Sequence, residues 1–62
     1  MNFMELKIAF KQIGYEIYNG RDYRGTGYFI DDGSNVIYAG STIREVNNTY
    51  ANIKRDRRDM QW

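Results

Sequence analysis

Cysteine, histidine and proline are all missing from these 62 residues. Each absence removes a class of chemistry or structure. Without cysteine there is no disulfide staple and no thiolate metal site. Without histidine the usual metal ligand and general base at neutral pH is gone. Together the two gaps remove the Ser-His-Asp triad, the Cys-His pair and the ordinary zinc sites. The lack of proline, with little low-complexity sequence, argues against a disordered linker. No long apolar run follows the N-terminal residues, so no signal peptide is expected. No uncharged apolar stretch approaches a membrane span, so no membrane partner is expected. Free of cysteine, the chain is compatible with a reducing cytoplasm, and a cytoplasmic location is the expectation.

A chain this short forms one domain at most, residues 1–62. It buries about 60% of the surface that its unfolded form exposes, and such a core supplies roughly 3–5 kcal/mol. Stability must then come from close packing of the ten aromatic residues (six Tyr, three Phe, one Trp) or from self-association. A homodimer is one of the expectations.

Net charge is +1, too little to steer the whole molecule to DNA. Its distribution is uneven. From Lys54 to Trp62 four cations and two carboxylates sum to +2; the preceding residues carry five cations and six carboxylates, or −1.

Residues 2–13 fit two periods. Met4, Leu6, Ile8 and Phe10 alternate with Glu5, Lys7, Ala9 and Lys11, as in a strand. Phe3, Leu6, Phe10 and Ile13 fall on one helical stripe. Asn2 with Glu5 spells a capping box, and Gly14 stands where a left-handed helix end needs it, so the helix is preferred. "YEIY" then predicts a strand, with Tyr15 and Ile17 on one face and Glu16 and Tyr18 on the other. Asn19-Gly20 predicts a tight hairpin, and "RDYRGTGYFID" the returning strand. Gly25 and Gly27 suggest a bulge or bend within it. "DDGSN" is a second turn and "VIYAG" a third strand. The stretch from Ser41 to Asp59 is the clearest helix: Thr42 and Glu45 form a second capping box, and Ile43, Val46, Tyr50 and Ile53 make one apolar stripe. The expected fold is α+β, in the order α-β-β-β-α, with a three-stranded antiparallel meander and both helices on one face. If residues 2–13 are a strand, the order becomes β-β-β-β-α.

The catalytic inventory is short. Glu16, Asp22, Asp31 and Asp32 are the carboxylates available to hold magnesium for a small nuclease, but "DDG" is ordinary turn chemistry. "GRDYRGTG" lacks the spacing of a phosphate-binding loop. We therefore expect no enzyme, no metal and no cofactor.

Binding surfaces are better represented. With both helices on one face, tyrosines of the open face, Tyr18, Tyr28 and Tyr38, are candidates for stacking on bases or for a protein contact. On a wheel of about 100° per residue, Arg44, Lys54, Arg55 and Arg58 fall on one flank of the second helix, with Glu45, Asp56 and Asp59 behind. Arg21 and Arg24 of the hairpin extend this basic surface. Arg57 continues the apolar stripe, so its stem is expected to lie over the core edge. Met60 and Trp62 either close over the core or stay available to a partner.

The stretch "GYFIDDGSNVIYAGSTIREVNNTYANI" combines an aromatic strand, an Asp-Gly turn, a second strand and a Thr-capped helix. It resembles short phage and mobile-element accessory proteins of the anti-CRISPR, anti-defence type. The resemblance implies a non-enzymatic inhibitor that occupies the surface of a host protein or nucleoprotein. It carries no site residue over. The alternative expectation is direct nucleic-acid binding through the basic flank and the aromatic sheet face.

Overall fold

The computed structural model describes residues 1–23 and 25–59, with positions 22, 58 and 59 described by backbone alone. Within them the chain runs α1 (Phe3–Gln12), β1 (Glu16–Asp22), β2 (Gly25–Asp31), β3 (Val36–Gly40) and α2 (Ile43–Asp59). The strands form one antiparallel sheet in the order β1-β2-β3. The fold is therefore α+β with the expected element order.

Local signals explain both ends of α1. Asn2 accepts a hydrogen bond from the Glu5 amide at 2.9 Å, and Glu5 accepts one from the Asn2 amide at 2.9 Å. This reciprocal box satisfies two amides that a helix start leaves unpaired. At the other end Gly14 takes φ +89°. The Tyr15 amide donates to Phe10 O (2.9 Å) and the Gly14 amide to Lys11 O (3.1 Å), a complete Schellman motif. Its hydrophobic contact is present too, with the Tyr15 ring edge-on to Phe10 at 6.0 Å. The strand-like alternation that competes with this helix leaves Met4 and Ile8 on the outside, 68% and 60% exposed.

Helix α2 starts on a variant of the expected box. Thr42 Oγ1 accepts from the Glu45 amide at 3.2 Å. The Glu45 carboxylate, however, accepts chiefly from the amide and hydroxyl of Ser41, at 2.6 and 2.8 Å. Gly40, at φ +146°, makes the tight approach that brings Ser41 there. The carboxylate is held below its ordinary range, chiefly by the Ser41 amide and then by its hydroxyl. Asp32 is lowered likewise by the amides of Asn35 and Ser34. A carboxylate lowered by folding stabilises the fold above its unfolded pKa, and the contribution is lost as pH falls through the folded value. The melting temperature should therefore drop on acidification through and below the ordinary carboxylate range, and Glu45→Gln should make that drop shallower. Equal acid limbs for parent and variant in thermal melts would contradict this.

The core lies between the sheet and both helices. Leu6, Phe10, Ile17, Ile30, Ala39 and Val46 cluster there, all buried, with Phe3, Ile13, Tyr15, Tyr28, Ile43, Tyr50 and Ile53 packed around them. The expected α2 stripe thus faces inward. Arg57 extends it as anticipated: its Nη1 donates to Ile13 O at 3.1 Å, placing a cation at the C-terminal end of α1.

The hairpin differs from expectation. Asn19-Gly20 is not a turn; both are β1 residues, paired with Tyr28 and Gly27. The last β1–β2 pair is Asp22 with Gly25, so the reversal falls between those two residues. Placing the turn four residues later sets Tyr18 opposite Phe29 and Ile17 opposite Ile30. Those matches decide the register, because one face of the sheet must be buried. The irregularity expected at Gly25 or Gly27 lies elsewhere. Phe29 pairs with Tyr38 but Tyr28 with Gly40, which leaves Ala39 as the extra residue on β3. Thr49 Oγ1 of α2 donates to the Ala39 carbonyl at 2.6 Å.

Candidate binding surfaces

Alternation along the strands sends Ile17 and Ile30 into the core, so Tyr18 and Phe29 point to the face that neither helix covers. Tyr38 joins them through its pairing with Phe29. The three rings form a row across all three strands. Tyr18 stacks on Phe29 at 5.8 Å and 21°, and Tyr38 meets Phe29 edge-on at 5.5 Å and 67°. Phe29 is only 4% exposed although no helix covers it, while Tyr18 is 42% exposed. The flanking tyrosines therefore act as walls around a central phenylalanine.

Two glycines let the rings lie flat on the backbone. A methyl group built on Gly20 would stand 3.2 Å from the Tyr18 ring. One on Gly27 would stand 2.7 Å from Tyr38 Cε1 and 3.0 Å from the Gly40 carbonyl oxygen. The Asn19-Gly20 pair, read from sequence as a turn, thus serves the aromatic face instead.

Tyr28 must be removed from the open face. It lies on the helix side, packed on the core, with its ring 5.6 Å from Phe3. Three consecutive large residues, Tyr28, Phe29 and Ile30, have to divide between two faces, and the pairing of Ile30 with Ile17 sends the two even-numbered ones inward. Phe29, absent from the sequence candidates, takes the place Tyr28 was assigned.

On α2, Arg44, Lys54 and Arg55 are all exposed, and the unbroken helix keeps the spacing that sorts them to one flank. The flank is thin. Arg44 and Arg55 are eleven residues apart, about 16 Å along the axis, and Lys54 Nζ turns back over the Tyr50 ring at 5.9 Å. The side chain of Arg58, and all of Arg24, Met60 and Trp62, lie outside the described residues. Arg21 is exposed but alternates with Tyr18 and Gly20, so it points to the opposite side of the sheet from the aromatic row. Since α2 covers the helix side, the basic flank and the aromatic row do not merge into one surface.

The strand positions on the aromatic side are Glu16, Tyr18, Gly20, Gly27, Phe29, Asp31, Val36 and Tyr38, with neither lysine nor arginine among them. Asp31 and Asp32 serve the turn after β2. Asp31 Oδ1 accepts from the Gly33 amide at 2.8 Å, and Asp32 Oδ1 from the amides of Ser34 and Asn35 at 2.9 and 2.8 Å. Among the described residues no group of three or more potential ligands is placed to hold a metal, and no helix is long and apolar enough to cross a membrane.

A further apolar surface was not assigned from sequence: Met4 and Ile8, one helical turn apart on the outside of α1, are 68% and 60% exposed. Their signal was present as the alternation that favoured a strand. No family model matches this chain, and neither a curated protein nor a solved structure shows significant similarity to it.

Proposed function

We propose that this chain is a non-catalytic binding module that docks its aromatic sheet face on a host protein or nucleoprotein, acting as an anti-defence inhibitor of the kind it resembles. The observation that supports this reading is the row of Tyr18, Phe29 and Tyr38 on a sheet face that neither helix covers. Rings already stacked on one another lose little conformational freedom on binding, and tyrosine is enriched where interface energy concentrates. The surroundings favour protein over nucleic acid. Bases could stack on the rings, but the strand positions around them carry Glu16 and Asp31 and no cation, so a phosphate backbone would meet repulsion.

The test is capture from host lysate with tagged full-length chain. Tyr18→Lys with Tyr38→Lys should lose the partner that the parent retains, with cooperative unfolding preserved. Arg44→Ser with Arg55→Ser should keep it. Retention of the partner by the tyrosine variant would overturn the reading. So would binding of labelled DNA that weakens steeply with salt and is lost in the arginine variant, because that result assigns the work to α2.

A further inference from the structure

We propose that the partner presents an arginine side chain, carried on a cationic extended segment, to the edge of the aromatic row where Tyr18 adjoins Glu16 and Asp31. The inference rests on the docking reading above and names what that face recognises. Glu16 and Asp31 are directly opposed across β1 and β2. They share the aromatic side of the sheet and lie two residues along from Tyr18 and Phe29, about 7 Å away. Like charges directly opposed across strands destabilise a sheet. Among the described residues they are uncompensated: Asp31 accepts the Gly33 amide alone, Glu16 has no hydrogen bond or ion pair, and no strand cation shares the face.

A guanidinium group fits both halves of this arrangement. It is planar, so it stacks on the exposed Tyr18 ring, and its fork of N–H donors matches a carboxylate. An ammonium group is more strongly hydrated and lacks that plane, and a phosphate is repelled by the paired carboxylates. A second copy of this chain is a poorer occupant. Its exposed arginines among the described residues sit on α2 and, at Arg21, on the opposite side of the sheet from the aromatic row, so either contact with that row is heterologous and would propagate unless its rotation closed a ring.

The probe is a short capped peptide of alternating arginine and serine, with lysine and citrulline versions, titrated into isotope-labelled full chain and followed by amide chemical shifts. The arginine peptide should shift residues 16–18, 29–31 and 36–38 saturably. The lysine peptide should bind about threefold more weakly or worse, and the citrulline peptide should not saturate. Glu16→Gln with Asp31→Asn keeps the side-chain size and the acceptor for Gly33, and should weaken the arginine peptide about three- to tenfold. Equal binding of arginine and citrulline peptides, shifts confined to α2, or an undiminished affinity in the neutral variant would each overturn the proposal, as would a mass that grows with concentration through this face. The lysate experiment separates the two readings. A partner lost by the tyrosine variant but kept by the neutral carboxylate variant leaves docking intact and removes arginine recognition. A partner kept by both removes docking itself.

Discussion

Phe10→Ala should leave the chain without a cooperative unfolding transition. Phe10 is fully buried and is the side chain around which three elements meet. Its ring stands edge-on to Tyr50 of α2 at 5.1 Å and 79°, and edge-on to Tyr15, before β1, at 6.0 Å and 78°. Truncation removes the apolar contacts and leaves a cavity, a loss of about 3–5 kcal/mol. A core of this size supplies roughly 3–5 kcal/mol in all, so the two quantities are comparable. The charge count, the hydrogen bonds of the helix caps and the strand pairs are untouched by the change, so the loss is one of packing. Circular dichroism during denaturant titration is the measurement. Phe10→Leu keeps most of the volume and should retain a transition, weakened by about 1–2 kcal/mol. A cooperative transition in Phe10→Ala within about 1 kcal/mol of the parent would show that the three elements do not depend on this ring.

Gly40→Ala should cost about 2–4 kcal/mol, far more than adding one methyl group suggests. Two separate causes combine. The backbone at Gly40 has φ +146°, a conformation that L side chains rarely adopt. A methyl group there would also stand 2.5 Å from Glu45 Cβ and 3.2 Å from its carbonyl carbon, which belongs to the helix backbone. Relief requires moving the first turn of α2, and that turn is where Glu45 holds Ser41. Gly33→Ala supplies the control. It sits at φ +96° with nothing within 4 Å of the added methyl, so it carries only backbone strain, about 1–2 kcal/mol. Comparable losses in the two variants would mean that the contact with Glu45 is not what holds Gly40 in place.

The elements that sequence alone determined are those whose signals are local. Asn2 with Glu5, the glycine at position 14 and the α2 stripe from Ile43 to Ile53 each act within a few residues, and each appears in the structure as read. Capping and helical periodicity need no information from the rest of the chain. The apolar stretch from Tyr28 to Ile30 is different, because every residue in it suits either face. Only docking the helices over Ile17 and Ile30 drew Tyr28 inward and sent Phe29 out to join Tyr18 and Tyr38. Tertiary packing likewise overrode Asn19-Gly20. A local turn preference of this kind is small beside the burial of a whole sheet face, so the reversal lies between Asp22 and Gly25, where the register suits the core. The same packing separated the basic flank from the aromatic row. One lies on a helix above the sheet and the other beneath it, and a linear pattern of charges and rings does not record which side of a sheet each will occupy.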